Sequence, residues 1–309
     1  MTTQKIIIGT NTKYPLNGLL TLPEDLSIPV PAVVFVHGSG SSNMDEKVGK
    51  LTPFKDLAEG LARHGIASIR YDKRSFAHGF KMVCDKNLVI TVKEETIDDA
   101  IAAAVLLRQD PRIDPEKVFI IGHSMGGMLA PRIDAEGGNF RGLIIMAGSP
   151  RKLEQIMLDQ NEAVLQSTKG FVHWIVTKQV AKISKLFEGL DQLSDDAARK
   201  KKVGGGTTLY YFKEMGKHPA ADYLKDLNKP LLILQGEQDF QATVEKDFTA
   251  YRQLLDGKEH VTFRLYPGLN HAFVPSVYGN IMQAKREYAV EQHIGEEVIG
   301  DIAAWIHGK

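Results

Sequence analysis

The stretch Val118-Phe-Ile-Ile-Gly-His-Ser-Met-Gly126 gives the strongest indication of the fold. A short apolar run precedes the pattern G-x-S-x-G, and the helix-compatible residues 127–130 follow it. A serine hydroxyl is a weak nucleophile at neutral pH, so it must stand on a sharp turn where a histidine can reach it. The stretch therefore predicts a strand, a turn carrying Ser124 and a helix, with Gly122 and Gly126 permitting the turn. An ordinary serine at a glycine-rich junction is the alternative, and the rest of the chain has to decide.

Short apolar runs of the same kind recur along the chain and indicate parallel strands buried on both faces. They occupy residues 32–36, 67–71, 118–121, 143–146 and 231–234, and residues 261–266 predict a sixth strand of this part of the sheet. Helical patterns lie at residues 53–64, 91–108, 243–255 and 296–306. This alternation predicts an α/β fold, a mostly parallel, twisted sheet with helices on both faces. Residues 6–8 and 19–22 predict an antiparallel edge before the parallel part.

The alternation stops after Gly148. Residues 149–227 show helical spacing and no strand-like run, so they predict a helical cap inserted after the sixth strand. The predicted domains are a first part of the core at 1–148, the cap at 149–227 and a second part of the core at 228–309. Gly204-Gly-Gly206 is interpreted as a linker within the cap. Candidate residues of the substrate pocket are the cap aromatics Trp174, Tyr210, Tyr211 and Phe212.

Ser124 requires an acid and a histidine, and in this kind of fold both follow later in the chain, each after a strand. Asp239 follows the fifth of the parallel runs, and His271 follows the sixth. His271 is expected to take the proton of Ser124 and return it to the leaving group, while Asp239 orients the imidazole. Glu237 is the alternative acid, but it sits closer to the strand end. The predicted catalytic residues are therefore Ser124, Asp239 and His271.

Acyl transfer also requires hydrogen-bond donors for the oxyanion of the tetrahedral intermediate. One predicted donor is the backbone amide of Met125, at the start of the nucleophile helix. The other is the backbone amide of Ser39, in the loop after the strand at 32–36, and the hydroxyl of Ser39 is assigned no role. These two amides form the predicted oxyanion hole.

Other polar residues near these loops are assigned structural roles. His37 and His123 flank the functional loops and are expected to hydrogen-bond the backbone near the site. Asp45 and Glu46 follow the oxyanion loop and could position substrate or orient His37. An acidic pair in a loop is usually solvated, so neither residue is counted as catalytic.

The composition excludes several classes of protein. The 309 residues include 38 basic and 38 acidic side chains, so the chain lacks the positive charge that favours nucleic-acid binding. The single cysteine, Cys84, can form neither an internal disulfide nor a cysteine-based zinc site. The histidines show no metal-binding spacing, and no apolar run is long enough for a membrane span. We expect a cytoplasmic protein with no metal or cofactor and a small-molecule partner, and the sequence is compatible with a homodimer.

These motifs together resemble the α/β-hydrolase superfamily, and in particular bacterial serine carboxylesterases. The resemblance rests on His37-Gly-Ser-Gly40, Tyr71-Asp-Lys-Arg74, Gly122-His-Ser-Met-Gly-Gly127, Asp239 and His271, which span nearly the whole chain. It implies an α/β-hydrolase fold and a cofactor-free serine hydrolase that acts on small to medium carboxylic esters. The oxyanion segment departs from the His-Gly-Gly-Gly form of the hormone-sensitive-lipase-like esterases. Ser75 also stands where family members commonly carry a glycine.

Several activities stay open at this point. A thioesterase, a peptidase or an acyltransferase would use the same three catalytic residues. The resemblance disfavours dehalogenase and epoxide-hydrolase chemistry, because those branches use an aspartate where this chain has Ser124. A non-catalytic binding protein with the same fold is a further alternative. It is disfavoured because such members usually lose a catalytic residue, and all three candidates are present here.

Overall fold

An eight-stranded sheet forms the centre of the structure, a computed structural model that describes residues 1–204 and 206–309. Gly205, in the predicted linker, lies outside the described residues. The strands in chain order are β1 (Thr2–Ile8), β2 (Leu16–Leu22), β3 (Val30–Val36), β4 (Ala67–Tyr71), β5 (Ile113–His123), β6 (Leu143–Met146), β7 (Lys202–Gly204), β8 (Thr207–Thr208), β9 (Leu231–Gly236) and β10 (Val261–Tyr266). The central sheet has the order β1-β2-β4-β3-β5-β6-β9-β10.

The sheet is mostly parallel, as predicted. β4, β3, β5, β6, β9 and β10 pair in parallel, whereas β1 and β2 form the antiparallel edge. The inner strands β3, β5, β6 and β9 are rich in valine, isoleucine and leucine because both of their faces are covered, whereas the edge strand β10 is partly exposed. Because the six parallel strands run in the same direction, their carboxyl ends lie at one edge of the sheet, where ligands bind in folds of this kind.

Helices lie on both faces of the sheet. In chain order they are α1 (Pro53–Arg63), α2 (Arg74–Cys84), α3 (Asp98–Gln109), α4 (Met125–Ile133), α5 (Leu153–Gln166), α6 (Gly170–Phe187), α7 (Asp195–Lys200), α8 (Leu209–Gly216), α9 (Ala220–Lys225), α10 (Thr249–Leu254), α11 (Ala284–Glu287) and α12 (Glu296–His307). No helix in the described part of the chain is long and apolar enough to cross a membrane.

The core consists of two layers, one on each face of the sheet. Successive side chains of β3 alternate between them, because side chains of a strand point to opposite faces. Val34 and Val36 pack into the layer formed with α3 and α4. Val33 and Phe35 pack into the layer formed with α1 and α12. This two-sided burial fixes the positions of the loops at the carboxyl edge of the sheet.

The segment between β6 and β9 is largely helical, and we refer to residues 149–227 as the insertion. It contains α5 to α9 together with the antiparallel pair of β7 and β8. The prediction that this segment has no strand was therefore wrong. β7 and β8 have three and two residues, which is too short to produce an alternating apolar pattern.

Other elements also differ from the prediction. β5 begins at Ile113, before Pro115, because a bulge takes up the residues between Ile113 and Val118. A proline is tolerated there, since the hydrogen-bond ladder is interrupted. The helix predicted at 91–108 begins as a turn of π-helix, Lys93–Ile97, and continues as α3. Finally, α2 occupies a segment to which the sequence analysis assigned no element.

Candidate active site

Ser124 stands at the turn between β5 and α4. Its backbone has φ 54° and ψ −119°, a conformation that costs a residue with a side chain about 1–3 kcal/mol. Its amide donates to the carbonyl of Met146 on β6 at 2.8 Å, which ties the turn to the sheet. The structure thus has the strand, turn and helix that the sequence predicted, with the strained conformation on the serine itself.

Gly122 and Gly126 allow the elements around this turn to approach closely. A Cβ on Gly122 would overlap the backbone of Gly126, and a Cβ on Gly126 would overlap the carbonyl oxygen of Val36. Neither glycine has a positive φ. Their role is therefore close packing of β3, β5 and α4, whereas the sharp turn falls on Ser124.

Asp239 and His271 form a buried hydrogen-bonded pair. The Nδ1 atom of His271 lies 2.7 Å from Oδ2 of Asp239. Oδ1 of Asp239 accepts the amides of Gln241 and Ala242 at 2.7 and 3.0 Å, so the carboxylate is fixed by its own loop. The alternative acid, Glu237, is exposed to solvent. The structure therefore places Asp239 against the imidazole, in the orientation expected of the acid.

Ser124 and His271 both line a cavity of about 770 Å³. No hydrogen bond joins their side chains within the described residues, and in enzymes without substrate this contact is often long. Apolar side chains from the core and from the insertion form much of the wall: Phe80, Val83, Met128, Leu153, Ile156 and Met157. Such a wall suits the uncharged part of an organic substrate.

The two amides predicted to bind the oxyanion belong to residues that line the same cavity, Ser39 and Met125. Met125 is the first residue of α4, so its amide has no partner within the helix. Neither amide donates a hydrogen bond to another group in residues 1–204 or 206–309. Both are therefore available to a ligand, as oxyanion donors must be.

Glu46 is buried, so the prediction that it is solvated was wrong. Its Oε1 accepts the amide of Gly38 at 2.7 Å, and its Oε2 lies 3.0 Å from Nδ1 of His123. Burial lowers the pKa of His123, but the Glu46 carboxylate, together with the carbonyl of His271 and the charge of Asp239, outweighs this effect and raises the pKa. Burial raises the pKa of Glu46, yet the charge of His123 holds it below its ordinary value. The sequence could not reveal this pair, because its members lie in different loops that only the folded sheet brings together.

Three other polar residues of these loops, His37, His123 and Asp45, also have partners within the protein. His37 and His123 contact the backbone, as predicted. Nε2 of His37 lies 3.0 Å from the carbonyl oxygen of Asn43, and Nε2 of His123 lies 2.9 Å from that of His271. Burial lowers the pKa of His37 to about 4, so its ring is neutral at pH 7. Asp45 accepts a hydrogen bond from the guanidinium of Arg70 at 2.9 Å and is half-buried, not solvated as predicted.

The four aromatic residues of the insertion separate into two groups. Tyr211 and Phe212 line the cavity. Trp174 is exposed on α6, where the ammonium group of Lys178 lies 3.8 Å from its ring centroid, and it is not part of the cavity wall. Tyr210 packs beneath Arg199 and also lies outside the wall. The prediction was wrong for Trp174, which lies on the exposed surface of α6, and for Tyr210, which faces away from the cavity because consecutive residues of a helix face different directions.

Among the described residues, no group of three or more His, Cys, Asp or Glu side chains is arranged to hold a metal ion. The polar groups around the cavity include a serine on a strained turn, an imidazole held by a carboxylate, and two free amides. These groups can form and break an acyl bond by nucleophilic attack and proton transfer.

The sequence also matches a known protein family. Residues 28–275 match the family described as serine aminopeptidase, S33. The chain belongs to this family. Its members are α/β-hydrolases, so the family agrees with the mostly parallel sheet and with the serine turn after β5.

Several proteins that are similar to this S33 family member are named esterases. Esterase EstD of Thermotoga maritima is 33% identical over 291 residues, which are 94% of this chain and 65% of EstD. The chain thus spans less than two thirds of the length of that relative. Est1E of Butyrivibrio proteoclasticus has a similar structure, with a TM-score of 0.58 and 14% identity over 99% of both chains. A Pyrococcus furiosus esterase has a TM-score of 0.57 and 16% identity over 99% of this chain and 91% of its own. At these identities the two structures show the α/β-hydrolase fold alone.

Proposed function

We propose that this chain is a serine carboxylesterase that hydrolyses small to medium carboxylic esters through an acyl-enzyme on Ser124. One observation carries the proposal: Ser124 and His271 line the same cavity. Ser124 stands on a strained turn, and His271 is hydrogen-bonded to the Asp239 carboxylate. The similarity to esterase EstD supports the same reaction. No cofactor takes part in the proposed mechanism.

In the proposed reaction, Oγ of Ser124 attacks the ester carbonyl carbon while His271 takes the hydroxyl proton. The negative charge that develops on the carbonyl oxygen is stabilised by the amides of Ser39 and Met125. The intermediate collapses, the C–O bond to the alcohol breaks, and His271 returns the proton to the leaving alkoxide. Water, deprotonated by His271, then attacks the acyl-enzyme, the bond between the acyl carbon and Oγ of Ser124 breaks, and His271 returns the proton to Oγ as the acid leaves. Asp239 keeps Nδ1 of the imidazole protonated and stabilises the imidazolium.

The substrate class follows from the cavity. Its volume of about 770 Å³ and its apolar wall suit an acyl or alcohol group of modest size. We propose that residues 149–227 act as a cap on a core made of 1–148 and 228–309. The insertion contributes Leu153, Ile156, Met157, Tyr211 and Phe212 to the wall, which supports this division.

The family description makes a peptidase the second candidate. An aminopeptidase has to bind the cationic amino terminus of its substrate, for which a free carboxylate in the pocket is the natural partner. Among the described residues, the carboxylate that lines the cavity is that of Glu95. It is already in contact with Lys73 and Tyr211. This observation favours an uncharged ester over a peptide with a free amino terminus. Thioesters and acyl transfer remain alternatives with the same residues.

We place the enzyme in the cytoplasm, on the ground that its single cysteine, Cys84, is free. A homodimer stays a prediction, which size-exclusion chromatography with light scattering would test.

The decisive experiment is the hydrolysis of p-nitrophenyl esters from acetate to decanoate by wild type and by Ser124→Ala. We expect wild-type turnover, and a loss of about 10⁵-fold or more in kcat for Ser124→Ala with the fold intact. Ser167→Ala, an exposed serine of the insertion, is the matched control and should keep full activity. A folded Ser124→Ala variant with wild-type rates would contradict the proposal. Ester turnover absent from wild type, with Ser124 still labelled by a fluorophosphonate, would favour amide, thioester or acyl-transfer chemistry.

A further inference from the structure

Lys73 is a buried lysine that the proposed reaction does not use. It follows β4 within the Tyr71-Asp-Lys-Arg74 segment, and its side chain is 1% exposed. Lysine is almost never fully buried without a partner, because its ammonium group loses its hydration. The shortest contact of this ammonium group is the carbonyl oxygen of Gly38, to which Nζ donates at 2.9 Å. The lysine therefore holds the backbone of the oxyanion loop.

The contact with Gly38 determines where the amide of Ser39 points. The carbonyl of Gly38 and the N–H of Ser39 belong to one planar peptide group, which is trans, so they point in opposite directions. An ammonium group that holds the carbonyl on one side therefore aims the N–H toward the other. The preceding peptide is held as well, because the amide of Gly38 donates to Glu46 at 2.7 Å.

This restraint is needed because the loop has little stiffness of its own. Ser39 lies between Gly38 and Gly40, and glycine has the widest conformational freedom of all residues. The φ of Gly40 is 83°, so the chain leaves the loop in a left-handed conformation. The contacts of Lys73 and Glu46 with Gly38 therefore fix the peptide groups on both sides of this glycine, including the one that carries the Ser39 amide.

The charge of Lys73 is balanced by a carboxylate that also contacts the insertion. Oε1 of Glu95 lies 3.6 Å from Nζ of Lys73, and Oε2 accepts the hydroxyl of Tyr211 at 2.6 Å. Tyr211 belongs to α8 of the insertion, and burial raises the pKa of its hydroxyl well above the ordinary value, so it remains a donor. A continuous set of contacts thus runs from the insertion through Glu95 and Lys73 to Gly38.

We propose that Lys73 is a positioning residue that aims the Ser39 amide at the oxyanion, and that Glu95 and Tyr211 couple this position to the seating of the insertion. The inference rests on the proposed function, since it assumes acyl transfer at Ser124. A simple structural ion pair would place the ammonium group closest to the carboxylate. Here it is closer to the backbone carbonyl, at 2.9 Å against 3.6 Å.

The test compares Lys73→Met and Tyr211→Phe with wild type in kcat, KM and affinity for an alkyl trifluoromethyl ketone. The ketone forms a tetrahedral adduct with Ser124. In the proposed site, the oxyanion of this adduct accepts a hydrogen bond from the Ser39 amide. We expect Lys73→Met to lower kcat by about 10- to 100-fold, somewhat less than the loss of a complete donor, with KM nearly unchanged. Ketone affinity should fall by the same factor as kcat/KM.

Tyr211→Phe keeps the ring in the cavity wall and removes the hydroxyl, which donates to Oε2 of Glu95 at 2.6 Å and also lies 3.7 Å from Sδ of Met125. We expect a smaller change of the same kind, about 3- to 10-fold in kcat and in ketone affinity. Tyr210→Phe, at the neighbouring tyrosine outside the wall, is the matched control and should change neither. If Lys73→Met does not fold, the kcat and ketone affinity of Tyr211→Phe test the proposal by themselves. Wild-type kcat and ketone affinity in the folded variants, or a higher KM with unchanged kcat, would overturn the proposal.

Failure of the proposed function would be visible separately, as wild type that hydrolyses no ester. In that case the rate constant for phosphonylation of Ser124 by a fluorophosphonate replaces kcat, because the phosphonyl oxygen enters the same site. An equal rate in wild type, Lys73→Met and Tyr211→Phe would then overturn the inference, and a slower rate in the two variants would support it.

Discussion

The imidazole of His271 donates from Nδ1 to Oδ2 of Asp239 across 2.7 Å, and the two residues come from loops after different strands, β10 and β9. Asp239 is 5% exposed, and its other oxygen is already saturated by two backbone amides of its own loop. The carboxylate therefore has one orientation and leaves one position for the imidazole. This arrangement determines which nitrogen of His271 faces the cavity.

Replacement of Asp239 by asparagine should lower kcat by about 10⁴-fold. An asparagine can keep the position of the ring, but its amide can donate to Nδ1 and so favour the wrong tautomer for proton transfer from Ser124. The measurement is steady-state hydrolysis of p-nitrophenyl butyrate, with circular dichroism to establish that the variant is folded.

Glu237→Gln is the matched control for Asp239→Asn, because Glu237 lies in the same loop and is exposed. We expect its kcat to equal that of wild type. The assignment of the acid would be wrong if Glu237→Gln lost activity while Asp239→Asn kept it.

Strain at Ser124 predicts that two inactive variants differ in stability. Ser124→Gly removes the side chain that disfavours φ 54°, whereas Ser124→Ala retains a Cβ. Allowing for the greater flexibility of glycine in the unfolded chain, the glycine variant should be more stable by about 0.5–2 kcal/mol. Urea denaturation followed by circular dichroism measures this difference. A glycine variant that is equally or less stable would show that the turn is not strained.

The residues predicted from the sequence are those whose role is set by local pattern and chain order. The turn at Ser124 follows from an apolar strand before G-x-S-x-G, and Asp239 and His271 follow from their places after successive strands. Patterns of this kind can be seen without knowing which loops meet, because parallel strands all end at one edge of the sheet.

The features that could not be predicted depend on contacts between distant loops or on the phase of a helix. Glu46 looks solvated in sequence, but it is buried against His123. Tyr210 and Tyr211 are adjacent and chemically identical, yet the orientation of α8 turns one toward Arg199 and the other into the cavity. The sequence predicts no role for Lys73, because its partner, the backbone carbonyl of Gly38, has no sequence signature.

Close packing at the nucleophile turn predicts that Gly126 tolerates no side chain. A Cβ there would overlap the carbonyl oxygen of Val36, and both groups are backbone held in regular structure. We expect Gly126→Ala to lower the free energy of unfolding by about 3 kcal/mol or more. Gly300→Ala in α12 is the matched control, since a Cβ there meets no atom within 4 Å. It should raise stability by about 0.5–1 kcal/mol. Equal effects of the two substitutions, measured by urea denaturation, would contradict this account of the turn.

The Glu46–His123 pair predicts a pH-dependent contribution to stability. The pKa of His123 is raised above 6.5 in the folded protein, so its contribution is complete below pH 6.5 and is lost as pH rises through the folded value. The pKa of Glu46 is lowered below 4.5, so its contribution is complete above pH 4.5 and is lost as pH falls through the folded value. The pair therefore stabilises the fold most between pH 4.5 and pH 6.5.

Glu46→Gln tests this window, because glutamine can still accept the amide of Gly38 but carries no charge for His123. We expect the variant to be less stable than wild type by about 1–3 kcal/mol near pH 5.5, with the difference shrinking toward pH 9 as His123 loses its proton in wild type. Urea denaturation of both proteins across this pH range measures the difference. A constant difference at all pH values would mean that Glu46 acts only through its hydrogen bond to Gly38. A difference that grew with pH would reverse the sign of the His123 pKa shift and contradict an ion pair at this position.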